Sequence, residues 1–212
     1  MRLNGNARNT AHNRATFTDS EMRALNKCAS IRAEELGFGS IKSHIMGVLG
    51  EAATLRVLSM PIQVCIQNDN GVDFLLGNIE VDAKATYVQN GGLLFKDYDK
   101  FSADIAVLAH PVGKDDPNSV DVIGWTTQEK FAAEANWKTM SNGVPDRLVL
   151  AREKLFPMET LTRVLDGEFC ERYSGEDPSS PQGKRQAHRR RVSHSVPLSE
   201  DLHDPGTSEL AR

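Results

Sequence analysis

The segment NDNGVDFLLGNIEVDAKAT, residues 68–86, decides how this chain is read. Two short apolar runs, 72–76 and 79–86, flank Gly77-Asn78. A two-residue Gly-Asn connection between such runs signals a β-hairpin. Side chains alternate along a strand, so Ile79, Val81, Ala83 and Ala85 share one face, and Glu80, Asp82, Lys84 and Thr86 the other. Same-face neighbours on that strand stand about 7 Å apart. Closing the hairpin at Gly77-Asn78 sets residue 76 opposite 79, and Asp73 opposite Asp82. Their β-carbons then lie about 5 Å apart. Facing carboxylates repel, so something positive belongs between them. Lys84 is one such partner and a divalent cation another, since hard cations take carboxylate, water and phosphate oxygens. The plainer alternative is an exposed polar strand face on which Lys84 merely balances the acids.

Upstream of the hairpin the pattern is helical. Thr18 followed by Glu21 forms a capping box, which predicts a helix over 19–36 with Gly37 as its C-terminal cap. Ser40 is a candidate N-cap for a second helix over 41–59, stopped before Pro61. Its Ile45, Val48, Leu49, Ala52 and Leu55 follow the spacing of one buried face. Glu51 sits at the border of that arc, after Gly50 and before two alanines, where a helix backbone can approach a sheet closely. It is either a third acid for the hairpin or an ordinary boundary glutamate. His44, two turns earlier, reads as a packed histidine.

Further strands are predicted at 62–66, 104–109, 120–125 and 147–150, with a Pro/Gly/Asp-rich loop at 111–118. Short helices are predicted at 127–134 and 156–165. Residues 1–17 read as a flexible arm. From 173 onward Ser, Pro, Gly, Arg and His dominate, which predicts a disordered tail over 173–212. Lys184-Arg185 and Arg189-Arg190-Arg191 form a basic cluster within it, either simply solvated or a non-specific nucleic-acid tether.

Composition narrows the classes. Of 212 residues, 39% are hydrophobic and 25% charged, which suits one globular domain with tails. No apolar run is long enough to span a membrane, and the polar N-terminus lacks a secretory pattern, so a cytoplasmic location is expected. The net charge of −4 argues against coating nucleic acid by bulk charge, though not against a local phosphate grip. Cys28, Cys65 and Cys170 are too scattered for a disulfide framework or zinc knuckle.

The order helix-Glu51, then Asp73, then Asp82-Ala83-Lys84 on the paired strand resembles the PD-(D/E)xK nuclease superfamily. Val72-Asp73-Phe74 matches its apolar-Asp-apolar context, with Val72 where proline often stands. GVLGEAATLRVL (47–58) resembles its Gly-Glu helix. DVIGWTTQEKF (121–131) and LFPMETL (155–161) are similar to segments of small, phage-type members. Asp82 replaces the more usual Glu, and Glu80 is an additional or alternative ligand.

The resemblance implies an α/β, restriction-endonuclease-like mixed central β-sheet flanked by helices, with a nuclease core over 18–172. It implies that Asp73, Asp82 and Glu51 hold Mg2+ (or Mn2+), and that Lys84 orients or activates the attacking water. It further implies phosphodiester hydrolysis, chiefly of DNA, leaving a 5′-phosphate, in a bacterial or phage-infected cytoplasm and in many relatives as a homodimer. Two other readings stay open: a catalytically inactive nucleic-acid-binding or structural protein on the same fold, and a metal-dependent enzyme acting on another phosphate-containing substrate.

Overall fold

The computed structural model describes residues 13–65, 71–113, 115–140, 145–164 and 195–197. The first helix, α1 (Asp19–Leu36), starts where its cap demands. Thr18 Oγ1 accepts from Glu21 N–H at 3.3 Å, and Glu21 Oε2 accepts from Thr18 N–H at 2.7 Å. Gly37, in the left-handed region at φ 63°, closes it through N–H to Ala33 O. The second helix, α2 (Ile41–Val57), begins with a reciprocal Ser40–Ser43 cap. It ends two residues before the expected 59, because Ser59 turns to φ 57° and Met60 N–H returns to Leu55 O at 2.9 Å.

A curled mixed sheet lies against this helix pair. Its strands are β1 (Arg14–Thr16), β3 (Phe74–Leu76), β4 (Ile79–Ala85), β6 (Ile105–Gly113) and β7 (Asp116–Thr127), in the order β1-β7-β6-β4-β3. Only the β4–β6 pairing is parallel. A second, three-stranded antiparallel sheet joins β5 (Leu93–Phe95), β9 (Arg147–Leu150) and β8 (Asn136–Lys138). The short helices α3 (Gln128–Glu134) and α4 (Met158–Arg163) complete the layers. The strand β2 (Gln63–Cys65) pairs antiparallel with β10 (Ser195–Pro197).

The central sheet is buried on both sides. One core, between α1, α2 and the sheet, holds Leu25, Val48, Leu49, Ala52, Val81 and Val107. The other, between the sheet and β5, β9 and α3, holds Leu93, Phe95, Phe101, Leu108, Phe131 and Leu150. Phe95 stacks on Phe101 at 4.7 Å, and Phe131 meets both edge-on. Each fully buried Leu, Val or Phe contributes about 1.5–3 kcal/mol, so the two cores together dominate the stability of the domain.

Several expectations are corrected. Order begins before Thr18: Arg14–Thr16 pairs with β7, Ala15 and Phe17 are buried, and Arg14 binds Asp121 through two bonds of 2.7 and 3.1 Å. The expected 111–118 loop is mostly strand, since β6 and β7 extend as one hairpin to Gly113 and Asp116. The last helix starts at Met158 rather than 156, because Phe156 is held in a β-bridge with Trp125. Most of the expected tail, with its basic cluster, lies outside the described residues, as do residues 1–12. Within that tail Ser195–Pro197 is described, as the edge partner of β2. Among the described residues, no helix is long and apolar enough to cross a membrane.

Candidate functional site

The hairpin closes as the sequence predicts. Leu76 pairs with Ile79, Leu75 with Glu80 and Phe74 with Val81, around Gly77 at φ 61°. A residue with a β-carbon is strained at that φ, which is why glycine opens the turn. At Phe74, β3 ends. Val72 packs against the second core while Phe74 packs against the first, so strand alternation breaks at Asp73. Asp73 N–H donates to Val81 O at 2.8 Å, and its Oδ2 accepts from Ala83 N–H at 2.6 Å. The carboxylate thus supplies the acceptor that a longer β3 would have offered β4. This alters the expected geometry: Asp73 stands beside the Asp82–Lys84 segment, but bonds its backbone.

Asp82 and Lys84 share one side of β4, as alternation requires. Their register partners on β6, Ala106 and Leu108, belong to the second core, so that is the side they face. Asp82 is fully buried and ion-paired with Lys84. The Lys84 ammonium lies 5.5 Å from the Phe95 ring centroid, and its side chain is partly exposed. A buried carboxylate is therefore joined to solvent through a cation. Glu80, the additional candidate, has its backbone N–H bonded to Asp104 Oδ2 at 2.9 Å.

Glu51 lies on the other side of β4. A β-carbon on Gly50 would stand 3.2 Å from Ala85 Cβ, so α2 approaches β4 as closely as the Gly50-Glu51 reading anticipated. Glu51 is 1% exposed and accepts two bonds from the Arg32 guanidinium of α1, at 2.5 and 2.7 Å. Arg32 was not among the sequence candidates, yet it left a signal. Leu25, Cys28, Ala29 and Arg32 follow one helical stripe, and all are buried. An arginine on a buried stripe requires an acid opposite it.

Arg32, Glu51, Asp73 and Lys84 all border a cavity of about 630 Å³, together with His44 and Tyr87. Asp82 lies behind Lys84 and is not part of that lining. His44 is buried, with Nε2 2.7 Å from Phe38 O, in keeping with a packed histidine. Beside Arg32 on α1, burial pushes the Cys28 thiol upward despite the nearby guanidinium, which leaves it a protonated, idle group. Cys65 and Cys170 side chains lie outside the description.

Carboxylate oxygens beside a lysine suit a hard divalent cation, and magnesium commonly takes only one or two protein carboxylates, with water and phosphate filling its octahedron. Asp73 and Asp82 meet that need in donor chemistry, the first bonded to the Ala83 N–H and the second paired with Lys84. Among the described residues, however, no group of three or more His, Cys, Asp or Glu stands close enough to hold a metal ion. Glu51 is engaged with Arg32 instead. No family model, curated protein or solved structure matches this chain.

Proposed function

We propose that this chain is a magnesium-dependent nuclease of the PD-(D/E)xK type, on a restriction-endonuclease-like fold, with DNA as its substrate. The observation that carries this reading is the hairpin mouth. β3 leaves β4 at Asp73, and the freed carboxylate lies against the Asp82-Ala83-Lys84 segment beside a cleft that Glu51 also borders. Asp73 and Asp82 are the residues that would hold the ion, and Glu51 would join them only on leaving Arg32. When bound, the ion supplies charge neutralisation at the phosphoryl oxygens and a bound water of lowered pKa. Lys84 borders the cleft with its ammonium paired to Asp82, and would stabilise charge developing on a phosphate there. Asp82 holds that ammonium in place, and Arg32 holds Glu51.

The test pairs a conservative and an exposed substitution. Asp82→Asn keeps the shape of the buried side chain, and Lys84→Ala removes a partly exposed one. Each should lower magnesium-dependent cleavage of DNA by about 100-fold or more, with an unchanged circular dichroism spectrum. An Asp82→Asn protein that cleaves at the native rate sinks the assignment.

One observation favours a second reading, an inactive nucleic-acid-binding protein on the same fold. Glu51 and Asp82 each already have an internal cation, Arg32 and Lys84. Magnesium titration followed by amide chemical shifts separates the two: a nuclease shows saturable shifts at Asp73, Asp82 and Ala83, whereas an inactive relative shows none there.

A further inference from the structure

We infer that the cleft takes unpaired nucleotides, with a base stacked on the rings of Phe38 and Tyr87 at its mouth. This rests on the nuclease reading for where the phosphate lies, but not for the stacking itself. The cleft is divided by chemistry. Its floor carries Arg32, Glu51, Asp73 and Lys84, while its rim carries Phe38 and Tyr87. Phe38, just past the Gly37 cap of α1, is 61% exposed, and Tyr87, just past β4, is 51% exposed. Val88 and Ile41 are also exposed nearby in sequence. Lys42 of α2 holds its ammonium over one face of the Tyr87 ring, 5.2 Å from its centroid, which leaves the opposite face for a base and sets a cation at the platform.

Aromatic rings and cations alternating along a groove are how single strands are gripped without sequence readout. A duplex keeps its bases stacked on each other and has no base face to offer Phe38 or Tyr87. An unpaired nucleotide offers a base face to the rim and a phosphate to the floor. A second cavity of about 310 Å³ shares Lys84, Ala85, Thr86 and Val88 with the first and adds Lys138. The two cavities thus share the wall formed by residues 84–86 and 88, and the second offers a further cation, Lys138, beside it.

The experiment measures binding without cleavage. Fluorescence anisotropy of the full chain in EDTA compares a labelled single-stranded DNA of about 15 nucleotides with the duplex of the same sequence. The single strand should bind at least about tenfold tighter. Phe38→Ala and Tyr87→Ala should each weaken single-strand binding by about 5- to 100-fold and leave duplex binding unchanged. Both rings are exposed, and the Phe38 carbonyl that bonds His44 survives the substitution, so the fold is retained. Equal binding of the duplex, or a double variant that binds the single strand like the native chain, overturns the inference.

Adding magnesium to the same samples keeps the two ideas apart. Ring-dependent single-strand binding without cleavage would remove the nuclease reading and keep this one. Duplex cleavage with no single-strand preference in EDTA would do the reverse.

Discussion

The helices α1 and α2 are joined by two arginine–glutamate pairs, one towards each end of α1, and the two pairs differ in what surrounds them. Arg32 of α1 and Glu51 of α2 have side chains 9% and 1% exposed, beside the cleft. Glu21 of α1 and Arg56 of α2 form the mirror-image pair at the far end, with side chains 30% exposed on both. Arg56 also donates to Thr16 O at 2.5 Å and lies over the Phe17 ring. The chemistry is the same, but the costs differ. Removing two ions from water costs several kcal/mol per ion, which their attraction only partly offsets, whereas a surface pair gains little and costs little. A fold that needed only to clamp two helices would use the outer kind twice. The buried pair stands where the candidate site is, which argues that position and charge at the cleft matter there more than stability.

The largest expected break in this comparison is Glu51→Ala. It leaves the Arg32 guanidinium buried without its acid and should cost about 3–5 kcal/mol, read as a lower midpoint in urea denaturation. A loss below about 1 kcal/mol would mean that water already reaches the pair, as it does at the outer one. The double replacement Arg32→Met with Glu51→Leu sharpens the point. It should fold within about 1 kcal/mol of the native chain or better, yet lose the magnesium-dependent cleavage proposed for this cleft. Full activity in that double variant would assign the pair to packing alone.

At the outer end, Glu21→Ala should cost about 1–2 kcal/mol, more of it from the lost capping box than from the ion pair. Acid provides the gentlest probe. The Arg56 guanidinium, helped by the Thr18 bonds, holds the Glu21 carboxyl at about 2, down from 4.5. A depressed carboxyl contributes stability that is fully present above its unfolded value. That contribution therefore fades as pH falls from about 4.5 towards 2, by about 1 kcal/mol after screening. Denaturation midpoints of the native chain and Glu21→Gln should converge across that window and differ above it. Parallel curves throughout would show that the pair contributes nothing.

Much of the frame was legible beforehand because it is local. Thr18 and Ser40 set two helix starts within a few residues of themselves, and Gly77-Asn78 set the hairpin register. The strands β5 and β8 were not anticipated: each is three residues long, too short to show an alternation, and each is held by β9, which for β5 is distant in sequence. β1 escaped because it is also three residues long, and Ala15 and Phe17 are buried only in a context that β7 and α2 provide.

The candidate site divides along the same line. By itself the sequence determined that Asp82 and Lys84 share a side of one strand, that Leu76 pairs with Ile79 across the turn, and that Glu51 rides a helix whose Gly50 lets it close on a sheet. Those follow from backbone periodicity and turn geometry, which a few residues suffice to set. Only the tertiary structure decided that Glu51 meets Arg32, that Asp82 is turned into the core beyond the sheet, and that Asp73 bonds Ala83 N–H. Each depends on which element lies against β4, and therefore on the packing of two cores around a strand that neither side leaves exposed.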